Sequence, residues 1–187
     1  MKPARLLFLI AVALGVVLPI RLWVIEAIYI ASPSMEPTLA VGAHLFMDRV
    51  SLRLRDPRRG EIIVFRSPVG EDIDLVKRVI AVPGDTVEIR NKQLYVNGEK
   101  LPDPHAYFSD STIMPSGRRD NMPPTQVPEG KFFVMGDNRD RSYDSRFWGF
   151  ANISDIKGKA TFVYWSRDVS QGWLAMPRFD RFGHFID

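Results

Sequence analysis

Residues 72–98 read DIDLVKRVIAVPGDTVEIRNKQLYVNG, and alternation with turn chemistry divides them into strands at Asp72–Val82, Thr86–Arg90 and Gln93–Val96. Pro83-Gly84 suits the two central positions of a type II turn, and Asn97-Gly98 suits a tight hairpin turn. Short strands joined this closely predict an antiparallel meander. In the first of them Ile73, Leu75, Val79 and Ala81 share a face with Lys77, while Val76, Ile80 and Val82 share the other with Arg78. One cation thus lies on each face of an apolar strand. A lysine flanked by Leu75 and Val79 loses hydration, which disfavours its charged form and moves its pKa toward a range where it can act as a base. A lysine snorkelling off an edge strand is the competing reading.

Working outward, Ala43–Val50, Glu61–Arg66, Lys131–Met135 and Lys159–Trp165 carry further strand signals, and the basic connection RLRDPRRG after the first reads as a solvated loop. Fourteen prolines and thirteen glycines in 187 residues argue against a helical bundle. Six of those prolines fall between Leu101 and Gly130, a segment of about 101–130 that reads as an excursion off the sheet. The predicted fold is mostly β, an antiparallel, barrel-like domain at 27–187 without internal repeats. Before it, at 1–26, Lys2 and Arg5 precede an apolar run from Leu6 to Ile25 interrupted only by Arg21. A spanning helix needs about 20 residues, and no small-residue cleavage pattern follows closely, so the run reads as an uncleaved single-pass anchor rather than a removed leader. Lys2 and Arg5 then place the amino terminus in the cytoplasm and the β domain in the periplasm or outside the cell. Trp173, Phe179, Phe182 and Phe185 in the tail either sit at the lipid interface or cover a sheet edge.

The chemistry starts from Ser32–Leu39, SPSMEPTL, which puts a serine where the anchor ends and the β domain begins. A serine hydroxyl needs a neighbouring base to become a useful nucleophile. With no cysteine, thiol nucleophiles, disulfides and thiolate zinc sites are excluded. His44, His105 and His184 show no metal-protease spacing and no acidic orienter, and read as surface or packing residues. In GDNRDRSYDSRFWGF (136–150) the carboxylates Asp137, Asp140 and Asp144 do not follow a calcium loop, and ion pairing with Arg139, Arg141 and Arg146 is the better reading. No metal or other cofactor is expected, and a net charge of +3 gives no case for nucleic acid.

SPSMEPTL, then KRVIAVPGD at 77–85, then GDNRDRSYDSRFWG at 136–149, in that order behind an apolar amino-terminal run, resemble bacterial type I signal peptidase, the leader peptidase family of Ser/Lys proteases. The resemblance covers most of the chain and is weakest in the anchor and at 99–130. It implies a membrane-anchored serine endopeptidase of the cytoplasmic membrane that removes signal peptides from exported pre-proteins. Ser34 would be the nucleophile, Lys77 the general base and Ser142 the hydroxyl orienting the lysine. Ser32 would donate to the oxyanion together with the Ser34 backbone N–H, and Asp137, Asp144 and Arg146 would be supporting salt-bridge positions. Pro33 has no N–H, so the oxyanion hole must rely on Ser32 and Ser34. A specialised Ser/Lys processing enzyme such as a conjugation-pilin peptidase would use the same pair of residues. A self-cleaving repressor is disfavoured by the anchor and the lack of a DNA-binding helix pair, and a membrane-tethered binding module without chemistry is the non-enzyme alternative.

Overall fold

Strand-forming residues alternate through most of the chain, and the computed structural model shows what they build; it describes residues 3–19, 23–70, 72–169, 172 and 176–186. Lys2, Arg21 and Trp173 lie outside the described residues. The amino-terminal helix α1 (Pro3–Pro19) is followed by β1 (Ile25–Tyr29), β2 (Ala43–Asp48), the single-turn helix α2 (Ser51–Leu54), β3 (Ile62–Arg66), β4 (Asp74–Ala81), β5 (Thr86–Arg90), β6 (Gln93–Val96) and β7 (Glu99–Lys100). The second half supplies β8 (Met122–Gln126), β9 (Lys131–Met135), the short helix α3 (Ser145–Trp148), β10 (Ala151–Asn152), β11 (Ile156–Ser166) and β12 (His184–Phe185). The larger sheet runs β1-β2-β11-β3-β4-β9-β10 with β12 added to β11, and the smaller runs β7-β6-β5-β8. Strand pairs in both sheets are antiparallel. No pairing of described residues closes the larger sheet, so the expected barrel-like form stays open at β1 and β10.

Turn chemistry fixes the register of the meander. Gly84 has φ of 87° and the Asp85 N–H donates to the Val82 carbonyl, the geometry of a type II turn that requires a residue tolerant of positive φ. Asn97 and Gly98 both adopt positive φ, 55° and 82°, and turn β6 into β7.

The amino-terminal run divides where one continuous helix was expected. Among the described residues α1 covers Pro3–Pro19, and Ile25–Tyr29 is extended, opposite Asp48 to His44 of β2. Ile25, Ile28 and Tyr29 are β-branched or aromatic, and β2 offers their backbone a ladder that a lone helix end does not. The β domain therefore begins at Ile25, inside the stretch assigned to the anchor. Among the described residues no helix is long and apolar enough to cross a membrane. With 17 residues α1 is about 26 Å long at ~1.5 Å per residue, and its residues 3–18 are exposed, Leu7 and Phe8 to 67%.

Two further expectations change. The Pro-rich stretch is not wholly off the sheet, because Met122–Gln126 forms β8 at the edge of the smaller sheet. Pro123 and Pro124 are exposed there, and prolines, which cannot donate to a ladder, are tolerated at a sheet edge. The basic connection begins as α2, and two of its four guanidinium groups are engaged: Arg55 is bidentate with Glu61, and Arg59 binds Asp85.

Three apolar clusters hold the sheets. Ile30, Met35, Leu39, Ala43, Leu45, Ile62, Ala160 and Val163 form one, with Val76 packed against it. Ile63, Phe65, Val79, Phe132, Val134 and Ala151 form the second, and Ile80, Val87, Ile89, Leu94, Met122 and Phe133 join the smaller sheet to the larger. Gly158 lies at a register shift between β11 and β3, where an added Cβ would strike the Asp48 carbonyl oxygen and the Met47 side chain. Backbone cannot yield as a side-chain tip does. Gly158→Ala is expected to cost roughly 1–3 kcal/mol, read as a lower urea midpoint with an unchanged slope.

Candidate active site

Ser34 lies in a one-turn 3-10 helix, Pro33–Met35, between the extended end of β1 and the buried Leu39. The ring of Pro33 presets its φ for that turn. Ser32 precedes it in extended conformation, φ −117° and ψ 142°, and its Oγ accepts from the Ser34 N–H at 3.3 Å. Lys77 comes from β4, where it lies opposite Ile63 of β3. Its Nζ donates to Ser34 Oγ at 2.6 Å, and the two residues are only 3% and 7% exposed. Burial is the main influence on the amine and pushes its pKa down to about 8. Asp144 and Asp137 act in the opposite sense and Arg146 in the same sense as burial.

The segment after β9 grips the serine turn through its backbone. The Asn138 N–H donates to the Ser34 carbonyl at 3.0 Å, and Asn138 Nδ2 donates to the Pro33 carbonyl at 3.2 Å. Gly136 packs so closely that an added Cβ would collide with the Ser34 carbonyl oxygen and the Ser142 side chain. Two buried forks hold this segment. Arg78 donates from Nε and Nη2 to Asp137 at 2.9 and 2.8 Å, and the Thr38 hydroxyl donates to the same carboxylate at 2.6 Å. Arg146 donates from Nε and Nη2 to Asp144 at 2.8 and 2.9 Å, and Asp144 also accepts from the Gly136 N–H at 3.0 Å.

The expected site residues therefore meet around one turn, with differences in their contacts. Ser142 is buried beside Gly136, but its Oγ makes no hydrogen bond among the described residues, to Lys77 or otherwise. Asp137 pairs with Arg78 rather than with the arginines near it in sequence, Arg139 pairs with Asp103, and Asp140 with Lys92. Tertiary proximity overrides sequence spacing for these ions. Arg78, Thr38 and Asn138 were not assigned a role from sequence. Arg78 carried a signal, a second cation inside an apolar strand; a threonine and an asparagine in turns carry none. His44 packs between the rings of Tyr29 and Tyr164, at 5.1 and 6.0 Å. Among the described residues no group of histidines or carboxylates could hold a metal.

A buried serine hydroxyl against a desolvated amine, on an antiparallel β scaffold, has the chemistry of a serine hydrolase that uses an amine in place of imidazole. The profile of the family "Signal peptidase, peptidase S26" matches residues 4–165, and the chain belongs to that family. It is 39% identical to a probable signal peptidase I-2 of Synechocystis over 78% of this chain and 66% of that protein. It is 40% identical to a signal peptidase I of Bacillus caldolyticus over 82% of this chain and 87% of that protein. A signal peptidase I structure from Enterococcus faecalis is 34% identical, covering 56% of this chain and 97% of that one with a TM-score of 0.45.

Burial of Lys77 carries a stability consequence. A lysine with a folded pKa near 8 and an unfolded value near 10.5 holds fewer protons in the folded state between those limits, so its unfavourable contribution is full below pH 8 and fades as pH rises toward 10.5. Lys77→Met keeps the volume and removes the charge. The variant is expected to be more stable than the parent by a few kcal/mol at pH 7, with the gap narrowing by pH 10, measured by urea unfolding at both values.

Proposed function

We propose that the chain is a membrane-associated serine endopeptidase that removes signal peptides from exported pre-proteins, with Ser34 as nucleophile and Lys77 as general base. The 2.6 Å contact between two buried side chains carries this reading. Neutral Lys77 takes the Ser34 proton as Oγ attacks the scissile carbonyl. Oxygen charge in the tetrahedral intermediate is met by the Ser34 N–H and the Ser32 hydroxyl, which must release their mutual contact to do so. The lysine ammonium returns the proton to the leaving nitrogen as the C–N bond breaks, giving an acyl-enzyme. Water, deprotonated by the same amine, then cleaves the ester and restores Ser34. The unpartnered Ser142 hydroxyl supplies an acceptor for the amine once substrate draws it off Ser34.

Substrate recognition uses open strand edges. β1 is an edge of the larger sheet, and β4 pairs with β9 only from Arg78 onward, so among the described residues one side of Asp74–Lys77 carries no paired strand. An extended peptide added there would point alternate side chains toward the cluster of Ile30, Met35 and Val76. Small residues at the first and third positions before the cut, as the family resemblance implies, fit that spacing. The apolar, unpartnered α1 supports insertion in the cytoplasmic membrane with the catalytic domain on the far side, and the exposed rings of Phe179 and Phe185 suit the interface.

Purified full-length protein in detergent, incubated with a pre-protein, should release a product whose new amino terminus follows small residues. Ser34→Ala and Lys77→Arg should each lower the rate by at least ~10²-fold, because guanidinium stays protonated. Parental activity should rise with pH through a limb near 8, since the base must be neutral. A limb only near the free-lysine value would contradict the base assignment.

A further inference from the structure

A cavity of about 510 Å³ opens immediately beyond the serine turn, lined by Glu36, Pro37, Ala40, Tyr107, Arg178, Asp180 and Arg181. Glu36 is the residue that ends the Pro33–Met35 turn, so the cavity borders the carboxyl-terminal end of that turn. Tyr107 is placed there by backbone bonds to the loop that grips Ser34: its N–H donates to the Asp137 carbonyl, and its carbonyl accepts from the Arg139 N–H. The carboxyl-terminal segment supplies the outer wall, with Arg181 donating to the Pro37 carbonyl at 2.8 Å and Arg178 to the Val41 carbonyl at 3.3 Å.

The charges lining this cavity are unequal in their engagement. Arg178 is paired with Asp168 at 3.2 Å and Arg181 with Asp180 at 3.5 Å. Glu36 is half-buried, and among the described residues its carboxylate has no ion pair and no hydrogen bond. A partly desolvated, unpaired carboxylate favours a cation. The geometry points to this cavity as the subsite for the leaving side of the substrate, with Glu36 selecting a lysine or arginine at the second residue after the scissile bond. The inference rests on the peptidase reading above and names a further specificity residue for it.

Parity and reach place that residue. In an extended strand whose first and third residues before the cut point into the protein, the first residue after the cut points out and the second points in again. Two residues of extended chain span at most about 7 Å, and Glu36 is itself two residues from Ser34, so the side chain and the carboxylate are brought to the same end of the turn.

The test uses the full chain in detergent with peptides identical except for Lys, Ala or Glu at the second position after the cut. The parent should cleave the Lys peptide with a kcat/KM about fivefold above the Glu peptide, the difference lying in KM. Glu36→Gln should bring the ratio near one and Glu36→Lys should invert it; because each ratio is taken within one enzyme, the amount of folded protein cancels. A ratio near one in the parent, a preference for the Glu peptide, or a ratio unchanged in both variants would overturn the assignment. Failure of the parent to cleave any of the peptides would instead overturn the peptidase reading on which it rests.

Discussion

Everything around the serine turn depends on keeping one amine dry. A free lysine is protonated at neutral pH and cannot accept a proton, so the base role proposed for Lys77 at its contact with Ser34 requires burial to outweigh the carboxylates nearby. Asp137 and Asp144 would defeat that if they were free. Each is instead locked to an arginine as a bidentate fork, so Lys77 meets charges that largely cancel, and the net displacement of its pKa is downward.

The two forks are better understood as positioning devices than as sources of stability. Buried ion pairs often do no better than apolar replacements of the same volume, because the cost of removing two charges from water is close to what their attraction returns. What these pairs provide is direction. Consecutive residues on β4 point to opposite faces, so a single strand presents its amine to Ser34 and its neighbouring guanidinium to Asp137. Asp137 also accepts from Thr38, four residues beyond Ser34, which ties the serine turn, β4 and the loop after β9 into one unit.

The same segment shows why two of its residues are glycine and asparagine. Gly136 lets the loop backbone approach the Ser34 carbonyl more closely than any side chain allows. Asn138 then binds two of the three carbonyls of the turn, those of Ser34 and Pro33, with its backbone and side-chain N–H groups. With the Pro33 carbonyl held, the peptide plane that carries the Ser34 N–H has a fixed orientation, as the oxyanion role proposed for that N–H requires.

Much of the scaffold was legible from residues 72–98 outward, because β alternation and turn chemistry are local: β5, β6 and β9 have the boundaries that alternation assigns, and Gly84 and Asn97-Gly98 adopt the turn geometry their residue types favour. The candidate pair was legible for a related reason, since a lysine in an apolar strand and a serine beside an apolar run stand out against their neighbours. Local signals misled where two structures suit the same residues. Ile25–Tyr29 satisfies an apolar helix and an edge strand alike, and the presence of β2 decides for the strand. Pro123 and Pro124 suggest a loop, yet an exposed edge with no ladder bond to donate accommodates them. The partners of the charged residues were beyond local reading altogether, because ion pairs form across whatever distance in sequence the fold closes: Arg78 to Asp137, Arg139 to Asp103, Lys92 to Asp140. The sequence by itself determined the strand pattern, the turns and the residue types available for chemistry; only the tertiary structure decided which charges cancel around Lys77, because desolvation and pairing are properties of neighbours in space.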